Sequence, residues 1–181
     1  MKTVFAATSL TLTLTLTLTL TLTLALAGPA PAQSQEDTVA AIMQADRDFA
    51  AMAAEEGAAA AFGHWMDATE GRLVRGTPDP VVGTQDIAPL YEPFTGDTLL
   101  HWEPSEGFAG SGDDFGVTWG VWSIHTDGDQ ASVAVARGTY VTVWHRNDAG
   151  EWRGLLDMGT EDPSYQPEPA GSESSDDGGD Q

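Results

Sequence analysis

Two carboxylates and a tyrosine in this 181-residue sequence have the type and spacing to move a proton. Asp46 interrupts an apolar run in which Val39, Ile42, Phe49 and Ala53 recur at helical spacing, with Met43 and Ala50 alongside. A helix over this run sets one carboxylate among core-facing side chains. Desolvation there raises a carboxyl pKa toward the range of a general acid or base. The structural alternative is a carboxylate that accepts a hydrogen bond from a tryptophan indole or an arginine and orients the packing, the commoner fate of buried polar groups.

The second group lies in the β-rich stretch 131–158, whose two runs flank the turn Asn147-Asp148-Ala149-Gly150. With those four residues as the loop, Tyr140 faces Asp157, Thr142 faces Leu155 and Trp144 faces Arg153. Through the Asp127-Gly128 turn, Phe115, Val117 and Trp119 join the same face. A tyrosine hydroxyl beside a carboxylate, walled by aromatic rings, is what enolisation or dehydration needs: one base and one donor for the oxyanion. A slip of one residue would move the whole set to the opposite face, and cross-strand packing or a dimer surface explains the pattern equally well.

Other chemistries lack their residues. The sequence has no cysteine, hence no disulfide, thiol nucleophile or Cys-ligated zinc. His64, His101, His125 and His145 show no metal-type spacing, so no metal site is expected. His101 and Glu103 share one face of a strand, as a base with its orienting acid or as a solvated edge pair. There is no phosphate loop, dinucleotide fingerprint or Gly-x-Ser-x-Gly, and no cofactor is expected. Six tryptophans are many for a small domain; of these, Trp65, Trp102, Trp119 and Trp144 are the candidates to line a pocket for a flat, largely apolar or aromatic ligand.

The elements that must position these groups read as helices followed by strands. Helices are expected over 36–56 and 58–66, separated by Gly57, and a short third one capped by Thr84 or Asp86 and stopped by Pro93. A short strand covers 71–75, and longer ones cover 98–108, 115–126, 131–146 and 151–158. This order predicts an α+β domain with a strongly curved antiparallel sheet wrapped around three N-terminal helices.

The order of Asp46-Arg47-Asp48-Phe49, Pro80-Val81-Val82-Gly83, His101-Trp102-Glu103-Pro104, the run from Gly138 to Trp144, and Gly150-Glu151-Trp152 resembles the SnoaL-like branch of the nuclear-transport-factor-2-like superfamily. The similarity spans residues 36 to 160. It implies a cone-shaped fold with a pocket between the helices and the concave sheet face, often in a homodimer formed through the sheet. It does not imply one activity, since isomerases, cyclases, dehydratases and non-catalytic binding domains share it.

Three segments are expected: a signal peptide over 1–32, the folded domain over 33–160, and a disordered acidic tail over 161–181. Lys2, the uncharged run with seven Thr-Leu pairs from Thr11 to Leu24, and Ala30-Pro31-Ala32 form an export signal, with Ala25-Leu26-Ala27 as a competing cleavage site. A periplasmic or secreted location follows, with no membrane association after cleavage. The net charge of −21 repels nucleic-acid phosphates and offers no basic patch, so nucleic-acid binding is disfavoured. The leading expectation is an exported protein that binds a small apolar or aromatic molecule without catalysis. A lyase or isomerase transferring a proton beside a carbonyl, and a structural dimerisation module, are the alternatives.

Overall fold

The computed structural model describes residues 34–167; the expected signal peptide and the tail beyond 167 lie outside the described residues. Helix α1 (Gln35–Glu56) begins at Ser34, whose hydroxyl accepts the Asp37 backbone N–H while the Asp37 side chain returns to the Ser34 N–H. This reciprocal cap satisfies two donors that a helix start otherwise leaves open. The buried face of α1 carries Thr38, Ile42, Ala45, Asp46, Phe49 and Ala53; of the stripe expected from the sequence, Val39, Met43 and Ala50 are only half-buried. Full burial of Ile42 and Phe49 contributes roughly 1.5–3 kcal/mol each. Gly57 ends α1 and opens α2 (Ala58–Trp65), which packs Phe62 edge-on against Phe49 at 4.8 Å.

Strands β1 (Arg72–Val74) and β2 (Val81–Val82) form a small hairpin before the third helix. Helix α3 (Thr84–Ile87) is capped by Gly83 rather than by Thr84 or Asp86. A 3-10 turn, Ala88–Tyr91, follows it and takes up Pro89 in its first turn, where a missing N–H is harmless. The remaining strands are β3 (Leu99–Ala109), β4 (Phe115–His125), β5 (Ala136–Arg146) and β6 (Trp152–Glu161).

The six strands form one sheet in the order β2-β1-β6-β5-β4-β3. All neighbours are antiparallel except β1 and β6, which run parallel with Leu73 opposite Asp157. The curved, unclosed sheet presents its concave face to the helices, so the α+β architecture expected from the sequence is the one observed. At Gly120, on that concave face, an added methyl would overlap the Glu103 carbonyl oxygen and press on the Tyr140 ring; backbone and ring approach each other too closely for any side chain.

Two register expectations fail, for local reasons. The loop after β5 has three residues between Asn147 and Glu151, with Gly150 at φ 78°. This is a type I turn closed by a left-handed glycine, which moves the pairing by one residue. A bulge between Val143 and Trp144 moves it by one more. Asp157 therefore lies opposite Thr142 instead of Tyr140, and Trp144 opposite Gly154 instead of Arg153. The two shifts cancel in parity, so Asp157 still shares a face with Tyr140, Thr142 and Trp144.

The other correction concerns β4. Asp127-Gly128 does turn the chain, with Gly128 at φ 74°, but inside a loop over 126–135 instead of a tight hairpin. Val133 and Val135 are exposed in that loop. The resulting register sets Gly116, Thr118, Gly120 and Trp122 on the concave face. Phe115, Val117 and Trp119 lie on the convex one. The fold also continues past residue 160: β6 ends at Glu161, and the Tyr165 hydroxyl donates to the Ala134 carbonyl at 2.8 Å beneath the Arg137 guanidinium.

Candidate functional site

A cavity of about 270 Å³ lies between the helices and the concave sheet face. Phe49 of α1, Phe62 of α2 and Tyr91 of the 3-10 turn close it from the helical side. From the sheet, Trp102, Trp122 and Tyr140 supply rings, while Leu73, Leu100 and Ile124 supply aliphatic walls. Phe62 and Tyr91 stack with ring centroids 3.6 Å apart, so one side of the cavity is a continuous aromatic slab. The volume and lining suit a compact ligand of one or two rings.

Three polar groups gather at one end of this cavity. Asp157 is 7% exposed and accepts a hydrogen bond from the Thr142 hydroxyl at 2.8 Å. Burial pushes its pKa up to about 7; the nearby Asp46 charge adds to the rise, and the Thr142 bond opposes it. The carboxyl thus exchanges its proton near neutral pH, as a general acid or base must. The Tyr91 hydroxyl makes no hydrogen bond among the described residues. Its pKa is raised by burial and by the Asp157 charge, and lowered by that of Arg75. Arg75 itself lines the cavity at the end of β1.

Asp46 is fully buried and lies behind this end instead of in it. It accepts the Trp102 indole N–H at 3.0 Å and the Tyr140 hydroxyl at 3.1 Å. Burial raises its pKa; hydrogen bonds from Thr118, Trp102 and Tyr140 oppose that, as does the charge of Arg47. Both Asp46 oxygens are thus engaged, as the structural alternative requires. Tyr140 keeps its proton, its pKa raised by burial and by Asp46, so its hydroxyl is already committed as a donor. The expected Tyr140–Asp157 pair is replaced by two separate pairs, Tyr140 with Asp46 and Asp157 with Thr142.

Of the four candidate pocket tryptophans, Trp102 lines the cavity. Trp144 is fully buried and donates its indole N–H to Thr118 at 2.8 Å; Trp65 packs between Phe49 and Trp144. Trp119 is 37% exposed on the convex face and donates to Glu106. Trp122, Tyr91 and Arg75 line the cavity without having been singled out by the sequence. Alternation along β1 could have placed Arg75 on the same face as Leu73, but nothing local marks Tyr91. His101 and Glu103 do share a face, the convex one, where they border a second cavity of about 490 Å³ with Ser123 and Arg137. Among the described residues, no group of three or more His, Asp or Glu is placed to hold a metal ion, and no helix is long and apolar enough to cross a membrane.

No protein-family model matches the sequence, and no curated protein matches it. Solved structures do share the fold. A ketosteroid isomerase-like protein from Erwinia carotovora atroseptica is 14% identical, with a TM-score of 0.54 over 69% of this chain and 96% of that one. A domain of unknown function with a cystatin-like fold from Nostoc punctiforme is 18% identical, with a TM-score of 0.54 over 68% and 76%. A proposed scytalone dehydratase from Novosphingobium aromaticivorans is 10% identical, with a TM-score of 0.52 over 68% and 83%. At these identities the likeness shows the fold alone. That shared fold, helices against a curved and mostly antiparallel sheet, is the architecture that the resemblance read from the sequence implied.

Proposed function

We propose that this protein binds a compact, flat, mostly apolar molecule between the helices and the concave sheet, with Asp157 meeting the ligand's polar group. The observation that carries this reading is the cavity itself: aromatic on most sides, with its polar groups gathered at one end. The likeness to a ketosteroid isomerase-like protein and a proposed scytalone dehydratase is compatible with a pocket for ring compounds. A neutral bicyclic ketone, 2-acetylnaphthalene, should bind with one-to-one stoichiometry in calorimetry. Gly159 faces the cavity, and a Cβ there would meet only Trp122 Nε1 at 3.5 Å and slightly more distant atoms. Gly159→Leu should therefore fill the polar end and abolish binding while the fold persists. Binding unchanged in that variant would show that the ketone sits elsewhere.

A second reading is proton transfer beside a carbonyl, favoured by one observation: Asp157 titrates near 7 next to the unengaged Tyr91 hydroxyl. Asp157 would take the proton and Tyr91 would donate to the developing oxyanion. The same ketone reports it, through protein-dependent exchange of its methyl protons for deuterium. The reading also includes export and pairing of two copies through the convex face, where Phe108, Phe115, Trp119 and Val121 are exposed. Secreted material, beginning at Gly28 or Gln33, should sediment as a dimer, and Val121→Glu should yield monomers.

A further inference from the structure

Resting on that reading of the cavity, we infer that the ligand is a compact aromatic or alicyclic carboxylic acid, bound as its anion with the carboxylate against Arg75 and the ring body between Phe62, Trp102 and Trp122. The argument starts from the scarcity of positive charge. The sequence holds seven lysines and arginines against 28 acids. Most of the described arginines are spoken for: Arg72 by Glu70, Arg137 by Asp162, Arg153 by Glu151, and Arg146 by the Asp113 and Gly150 carbonyls. Arg75 makes no ion pair and no hydrogen bond among the described residues, yet it is the one that lines the cavity.

Its placement follows from the sheet. Leu73 pairs with Asp157 in the parallel β1–β6 ladder, and Arg75 lies two residues beyond Leu73. Alternation returns it to the concave face. Its charge acts on the Tyr91 hydroxyl, which places the guanidinium at the same end as Asp157. Next to it on β6 stands Gly159, which leaves space where another residue would project a side chain. An unpaired guanidinium beside an open floor, with a phenol hydroxyl as a second donor, has the geometry to take a carboxylate through two parallel N–H donors. An amine or a second cation finds no such partner there except the half-titrated Asp157. A neutral ligand would leave the guanidinium unused.

The test is calorimetry with two probes of one shape, 2-naphthoate and 2-acetylnaphthalene, on the full mature chain. The wild type should bind naphthoate about five- to twenty-fold more tightly than the ketone, the lower figure for a solvent-exposed pair and the higher for a half-buried one. Arg75→Gln should erase the preference by weakening naphthoate binding more than ketone binding, and Arg75→Lys should restore part of it. Equal affinity in the wild type, or a preference for the ketone, would overturn the carboxylate assignment and leave the cavity reading intact. A preference for naphthoate that survives in Arg75→Gln would also overturn it. Binding of neither probe would remove the cavity reading, and this inference with it. Because Arg75 is exposed, its variants should melt as the wild type does.

Discussion

Replacing Asp157 with asparagine should make the protein more stable than wild type, by no more than about 1–2 kcal/mol at pH 5 and by a larger margin at pH 8.5. The carboxyl keeps its proton in the folded state up to about pH 7, whereas in the unfolded chain it loses it near 3.8. Its favourable contribution is present in full below pH 3.8 and is lost as the pH climbs through 7, because the folded state holds a proton that the unfolded state has released. A pKa carried from 3.8 to about 7 corresponds to about 4 kcal/mol, a ceiling that water entering the cavity would reduce. Asparagine keeps an acceptor for the Thr142 hydroxyl and carries no charge to desolvate. Apart from Asp46, whose charge acts on Asp157, the other acids are shared by both proteins, so paired urea unfolding at the two pH values reports chiefly on this carboxyl. An equal stability difference at pH 5 and pH 8.5 would refute the raised pKa.

Asp46 should separate alanine from asparagine just as sharply. Alanine leaves the Trp102 indole N–H and the Tyr140 hydroxyl without their acceptor, and an orphaned buried donor costs about 1–3 kcal/mol. Asp46→Ala should therefore lose about 2–5 kcal/mol in urea unfolding. Asparagine can turn its carbonyl to Trp102 and its amide to Tyr140, whose hydroxyl can rotate to accept. The indole N–H has no such freedom, which fixes the orientation. Asp46→Asn should lose no more than about 1–2 kcal/mol. Tyr140→Phe combined with Asp46→Ala should destabilise by less than the two changes summed, since both remove the same bond. Losses of equal size for alanine and asparagine would show that these hydrogen bonds do not hold Asp46 in place.

Helix α1 was legible because its information is local: a 3.6-residue stripe broken by one carboxylate states both the buried face and the need for a hydrogen-bond partner, which Trp102 and Tyr140 supply. The strands were legible as strands, but their register was not. Hairpin register depends on whether Gly150 closes a three- or four-residue loop and on a bulge beside Trp144, neither of which alters the alternation of residue types. Reading Asp127-Gly128 as a tight hairpin exchanged Trp119 for Trp122, because the run Ala131-Ser132-Val133-Ala134-Val135 before Ala136 has strand-like composition yet lies in the loop. The polar end of the cavity was the least legible part. Arg75, Tyr91 and Asp157 lie far apart in the chain, and each looks ordinary among its own neighbours.

The parallel pairing of β1 with β6 also sets an order of events during folding. Strands β3 to β6 join consecutive neighbours and can zip together in steps of short loops. The contact of Leu73 with Asp157 must instead close a loop of roughly eighty residues. As the chain is synthesised, α1, α2 and β1 appear first, and β1 waits for a partner strand that comes last. Helix α1 rests on β3 and β4, so its apolar stripe is covered earlier; it is β1 that keeps an open edge until β6 arrives, and this edge is exposed to aggregation meanwhile. The residues at the polar end of the cavity, drawn from β1, the 3-10 turn and β6, come together only when this last strand docks. Ligand-binding competence should therefore trail the formation of secondary structure, so that recovery of probe binding after dilution from urea lags the recovery of far-ultraviolet ellipticity.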